Sequence, residues 1–310
     1  MSGPTQSYSF IPLWGIMTAI NRRTKGSLGG ARLEANQDSQ AREYLTTLLG
    51  RHGWLNKVRP AALAIFLSRP ILPGERRRIV DTDFGIRLYI DAFSHGGHSV
   101  LTTGTYEPET VEIFQQEISP GDICLDIGAN EGILSALMGH LAGPSGKVIS
   151  VEPQSRLRDI IEINLAINHV TDYRVYQNVF GGVEGAAIEL NQTPFLNSGA
   201  SSLLRRSQLG GSTETCRFVA PERILAECGI DRFDFVKVDV EGFEGSVVAS
   251  LLPYIQAGKV RKLLVDYHTT ILEAQHLSAA DINASIVGGG MCVRRGDAAD
   301  LSSYILYGHD

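Results

Sequence analysis

Asp126, Gly128, Asn130 and Gly132 fall at alternate positions between an apolar run and a helical pattern. Ile123, Cys124, Leu125 and Ile127 form the run, which suits a parallel strand covered on both faces. Ile133, Leu134, Leu137, Met138 and Leu141 recur at helical spacing, which predicts a helix from about Asn130 or Glu131. Gly128 and Gly132 bracket a turn at which backbone approaches something closely. The N–H groups at such a helix start suit a carboxylate or phosphate. Asp126 closes the strand, where it can accept from an amine or hydroxyl. Together these features point to S-adenosylmethionine, whose methionine end carries both a carboxylate and an amine. The Asp-x-Gly-x-Asn-x-Gly spacing is not the Gly-x-Gly-x-x-Gly of dinucleotide folds. A nicotinamide-dependent oxidoreductase on a similar sheet is therefore the alternative, and a non-catalytic module of the same fold is another.

Further polar residues fall at predicted strand ends, where open parallel sheets bind their ligands. Glu152 ends the second strand and reads either as the acceptor for both ribose hydroxyls of an adenosine group or as a solvated carboxylate. Asn178 ends the third and reads either as an adenine contact or as a residue that stops a strand. Asp239 closes the fourth strand, and Glu241 and Glu244 follow it. His268 lies just past the fifth. A histidine beside a carboxylate suits general-base chemistry near neutral pH, so His268 is the expected base, with Asp239 beside it and Glu241 or Glu244 as alternatives. Asp239, Asp266 and His268 are the residues that would converge if a metal were held, but no metal is expected. His95 and His98 are read as part of a loop.

These residues must be positioned by an alternation of strands and helices from Asp122 onward, the pattern of a doubly wound α/β fold with a mostly parallel sheet. Ile79–Val80 and Ile86–Ile90 around Asp83-Phe84-Gly85 predict a β-hairpin. Residues 1–75 read as an N-terminal helical extension of unclear role, and 76–310 as the main domain. A long polar loop is expected around Asn197–Leu203, and a single helix after His268 to about Ile286.

The 310 residues carry a formal charge of −6, which gives no electrostatic case for general nucleic-acid binding. The apolar stretch Phe10–Ile20 is too short to span a bilayer, so no integral membrane segment is expected. Four scattered cysteines without a Cys-x-x-Cys pair fit a reducing, cytoplasmic compartment.

Gly104-Thr-Tyr-Glu-Pro108, Asp126–Gly132, Val151-Glu-Pro153, Asn164-Leu-x-x-Asn168, Gly199–Leu203 and Lys237-Val-Asp-Val-Glu-Gly-Phe-Glu244 occur in this order. In that order they resemble the FkbM family of S-adenosylmethionine-dependent methyltransferases over about residues 79–270. The resemblance implies a class I methyltransferase (Rossmann-like) fold and O-methylation of a sugar, polyketide or other secondary metabolite. It also implies cofactor roles for Asp126, Gly128, Asn130, Gly132 and Glu152. Glu131 stands where many members carry an apolar residue, and Ala220-Pro221 where many carry Leu-Asp. The extension lies outside the resemblance and is a candidate for setting substrate or a homo-oligomeric state.

Overall fold

The computed structural model describes residues 77–91, 94–191, 213–297, 300–301 and 304–309. The proposed extension 1–75 and the loop Asn197–Leu203 lie outside the described residues.

The chain opens on a hairpin, β1 (Arg77–Asp81) and β2 (Arg87–Asp91), paired antiparallel as the alternation predicts. Helices α1 (His95–Thr103) and α2 (Pro108–Glu117) lead to β3 (Ile123–Ile127), α3 (Ile133–Ala142), β4 (Lys147–Val151), α4 (Arg158–Ile167) and β5 (Tyr173–Tyr176). A small side sheet follows from β6 (Val179–Phe180), β7 (Ala187–Asn191) and β8 (Thr213–Val219). The domain finishes with α5 (Pro221–Cys228), β9 (Phe233–Val238), α6 (Glu244–Gln256), β10 (Val260–Asp266), α7 (Thr269–Glu273), α8 (Ala279–Gly288), β11 (Cys292–Arg295) and β12 (Tyr304–Gly308).

The main sheet runs β11-β12-β10-β9-β3-β4-β5. Within it β12 lies antiparallel to both neighbours, and the pairs among β10, β9, β3, β4 and β5 are parallel. The order reverses between β3 and β9, which places a ligand crevice at the carboxyl ends of those strands. Alternation along the strands divides the core. Cys124, Phe235 and Leu264 face α2, α3, α4 and the hairpin, whereas Leu125, Ile127, Val236 and Leu263 face α5, α6 and α8.

Two asparagines dock the hairpin on α4. Tyr89 N–H donates to Asn164 Oδ1 at 2.6 Å, and Asn164 Nδ2 donates to the Glu131 carbonyl at 2.8 Å. One turn on, Arg87 N–H donates to Asn168 Oδ1, and Asn168 Nδ2 donates to the Arg87 carbonyl. The two amides thus take the place of a third strand along β2. Asn164 is fully buried, so Asn164→Ala strands a donor and an acceptor and is expected to cost about 1–3 kcal/mol. Chemical unfolding measures it, and a loss below half a kcal/mol would show the hairpin is held by apolar packing alone.

Three local expectations change. His95 and His98 lie on α1 rather than in a loop. Ser94 Oγ accepts from Gly97 N–H to cap that helix, and a Cβ at Gly97 would stand 1.9 Å from the Asp91 carbonyl oxygen. The glycines that suggest a loop are there for close packing. Helix α3 begins at Ile133, because Asn130 and Gly132 are both left-handed. The helix expected after His268 is two helices, α7 and α8, separated by left-handed His276 and restarted by the Ser278 cap. Among the described residues no helix is long and apolar enough to cross a membrane.

Candidate active site

A cavity of about 540 Å³ opens at the carboxyl ends of β3, β4, β9 and β10, within the range of small-molecule sites. Gly128, Asn130, Glu152 and Asn178 line one part of it, and Asp239, Glu241, Asp266 and His268 another.

At the first end, Asn130 N–H donates to Glu152 Oε2 at 2.9 Å, and Gln154 N–H donates to Oε1 at 3.0 Å. The turn and the end of β4 are therefore fixed to each other. Burial raises the Glu152 carboxyl above its ordinary range, against the two backbone donors. A carboxylate oxygen has more than one lone pair, so each retains capacity for a ligand hydroxyl. Asn130 is left-handed, and its Oδ1 is buried without a hydrogen-bond partner. Asn178 Nδ2 donates to the Arg217 carbonyl, leaving its oxygen as the other polar atom at the rim.

The remaining turn residues also make close contacts within the protein's own packing. A Cβ at Gly128 would stand 1.8 Å from the Asp239 carbonyl oxygen, and one at Gly132 would stand 2.9 Å from Ile161 Cα. These glycines let β3 approach the end of β9 and α3 approach α4. Asp126 is fully buried; it accepts from Ser135 Oγ at 2.5 Å and lies 3.6 Å from Lys237 Nζ. Glu131, the departure noted above, is buried and paired. Arg77 Nη2 donates to its Oε1 at 2.9 Å and Ser94 Oγ to its Oε2 at 2.8 Å. Glu131 thereby ties the turn to β1 and α1. At the other departure, Ala220 N–H donates to Glu184 at the start of α5.

The second end gathers charge. His268 Nδ1 is 2.7 Å from Glu244 Oε1, and its Nε2 is 3.7 Å from Asp239 Oδ1, 3.7 Å from Glu241 Oε2 and 4.0 Å from Asp266 Oδ2. Burial opposes charge on the ring, but the bond to Glu244 and the surrounding carboxylates outweigh it and hold its pKa at about 9. Burial, opposed by His268 and helped by neighbouring carboxylates, pushes Glu241 up to about 7 and Asp266 to about 6. The ring thus holds a proton more tightly than the ordinary imidazole that its sequence position suggests. Glu244, fully buried, orients the ring in the place foreseen for Asp239. Asp239, Asp266 and His268 each offer one atom suited to a metal, all within 4.8 Å of one another.

Sequence reasoning gave no role to several residues. Lys237, buried on β9, donates to Asp239 Oδ2 at 3.1 Å and neutralises Asp126 from the other side. A lone lysine in the apolar run Phe233–Val238 was the available signal. Tyr106, Glu107 and Tyr304 complete the wall. Glu107, Asn130 and Glu241 are three of the five left-handed non-glycine residues described, and all three line the cavity.

The residues fit S-adenosylmethionine on two counts: an orphaned buried amide oxygen at the turn and a strand-end carboxylate with free lone pairs, both facing one cavity. Residues 126–286, just over half of the chain, match the methyltransferase FkbM domain. The AMB antimetabolite synthetase AmbE of Pseudomonas aeruginosa is 25% identical over 248 aligned positions, a match covering 63% of this chain and 11% of that protein. Among solved structures, a putative rRNA-methylase from Clostridium thermocellum aligns with a TM-score of 0.40 and 12% identity, over 66% of this chain and 95% of that one. Aeropyrum pernix fibrillarin with natively bound S-adenosyl-L-methionine aligns with a TM-score of 0.38 and 15% identity, over 76% and 84%. By its matched domain, and with the strand order of a class I methyltransferase, this chain belongs to the FkbM family of S-adenosylmethionine-dependent methyltransferases.

Proposed function

We propose that the protein methylates a hydroxyl oxygen of a small acceptor, a sugar, polyketide or other secondary metabolite. One observation carries this reading: the Asn130–Glu152 pair and the His268–carboxylate cluster face the same cavity from different strand ends. Glu152 holds the ribose diol, Asn130 Oδ1 accepts from the methionine amine, and Asn178 meets the adenine edge. Gly128 and Gly132 shape the turn, and Asp126 acts on the site through Lys237. Bound S-adenosylmethionine supplies an electrophilic methyl group on its sulfonium. The chain's own part is alignment of the acceptor oxygen and removal of its proton. The proton passes into the cluster, where Asp239, Glu241 and His268 face the cavity and Glu244 stands behind the ring.

Calorimetry with S-adenosylhomocysteine and with NAD tests the cofactor end. Glu152→Ala is expected to weaken S-adenosylhomocysteine binding at least tenfold, because each charge-assisted hydrogen bond is worth about 1.5–3 kcal/mol. Unchanged affinity would remove Glu152 from the cofactor site. Mass spectrometry of products from a panel of hydroxyl, amine and carboxyl acceptors tests the chemistry, and exclusive N-methylation would overturn the hydroxyl reading.

A further inference from the structure

We propose that Asp239, Asp266 and His268 bind a divalent cation of the magnesium or manganese type, and that the acceptor is held on it through two neighbouring oxygens. The acceptor part rests on the methyl-transfer reading above; the ion site stands on its own geometry.

The three ligand atoms come from the carboxyl ends of adjacent strands β9 and β10 and lie within 4.8 Å of one another. From Nε2 of His268, the Asp239 and Asp266 oxygens are 3.7 and 4.0 Å away. Those gaps are too long for hydrogen bonds. They are shorter than ~4.2 Å, twice the ~2.1 Å of a magnesium–oxygen bond. The two oxygens lie within 4.8 Å of each other, so an ion beside Nε2 reaches all three once these side chains close slightly around it and the ring gives up any proton on Nε2. Glu241 Oε2, 3.7 Å from the same nitrogen, is positioned as a neighbour.

The surroundings point the same way. Glu244 is fully buried, reaches His268 Nδ1 with one oxygen and has no hydrogen-bond partner at the other. A carboxylate behind an imidazole is the usual device that turns the far nitrogen toward a metal. Lys237 already engages Oδ2 of Asp239, so Oδ1 is the oxygen that looks toward the ring. The Asp239, Asp266 and His268 side chains are each about a fifth exposed, with relative accessibilities of 21%, 21% and 20%, which leaves a path for an ion and its waters. Two carboxylates with one imidazole suit manganese or magnesium better than a thiolate-loving metal.

An octahedral ion with three protein ligands has three open positions. A vicinal diol, or a hydroxyl beside a carbonyl, fills two of them. The ion lowers the hydroxyl's pKa, its proton leaves to Glu241, and the oxygen forms a bond to the methyl carbon. The carbon–sulfur bond breaks with its electron pair retained by sulfur, giving a thioether. Metal independence, the expectation from the sequence, is the outcome that this proposal stands against.

The test is Mn²⁺ titration of the chelator-treated full chain, followed by electron paramagnetic resonance, with S-adenosylhomocysteine binding measured separately. The expected result is one Mn²⁺ per chain with a nitrogen coupling from imidazole. Asp266→Asn and His268→Gln should each weaken Mn²⁺ at least tenfold, and His268→Gln should abolish the nitrogen coupling. S-adenosylhomocysteine affinity within twofold of wild type will show that each variant is folded. No Mn²⁺ bound at millimolar concentration, no nitrogen coupling, or undiminished binding in both variants overturns the ion site. Failure of the wild type to bind S-adenosylhomocysteine instead sinks the methyl-transfer reading and leaves the ion result standing.

Discussion

Lys237→Met is expected to cost roughly 3–5 kcal/mol of folding stability, the loss seen when one partner of a buried ion pair is removed. Lys237 and Asp126 sit side by side in the register of β9 and β3, at 3% and 0% exposure, on the face that otherwise carries Cys124 and Phe235. Asp126 Oδ1 has no hydrogen-bond partner, so the ammonium at 3.6 Å is what compensates its charge. Without it, the carboxylate is held only by Ser135. Urea unfolding followed by circular dichroism measures the loss. Adding Asp126→Asn should recover part of it, because the uncompensated charge goes too. A single-variant loss under 1 kcal/mol would mean that water reaches Asp126 after all.

Gly128→Ala is expected to be as damaging despite adding one methyl group. At φ +84° its Cβ would stand 1.8 Å from the Asp239 carbonyl oxygen, which β9 fixes in place. Either the turn or the end of β9 must move, so destabilisation beyond about 4 kcal/mol is expected. Gly258 supplies the control: its φ is +67°, but nothing lies within 4 Å of a built Cβ. Gly258→Ala should cost only the left-handed penalty of about 1–2 kcal/mol. Equal melting of the two variants would show that close approach is not what demands glycine at 128. A branched residue at Gly128 thus reports on the fold before it reports on cofactor.

The strands, the hairpin and the strand-end placement of Glu152, Asp239 and His268 were legible because apolar runs, alternation and glycine turns are local signals. What a side chain meets across the sheet is not local. Asp126 reads as a ligand contact from its place in the turn motif, yet its position in β3 turns it onto Lys237, 111 residues away (237 − 126). Gly96-Gly97 reads as a loop, because nothing nearby in sequence announces Ile133 packed against Gly96. The role of Glu244 depended on a histidine 24 positions further on and on a helix start that buries the carboxylate. Glu131 had no apparent purpose until Arg77 and Ser94 were found around it.

The left-handed trio Glu107, Asn130 and Glu241 has a consequence for anyone seeking a hardier enzyme. Each holds a side chain in a conformation that glycine adopts without cost. Glycine there offers stabilisation on the order of 1 kcal/mol per site, the kind of gain that a screen for melting temperature selects first. Each such gain would strip a carboxylate or amide from the cavity wall. Under the proposed chemistry, thermostability and turnover are expected to conflict at Asn130 and Glu241, and a stabilised catalyst is better sought among residues away from the cleft.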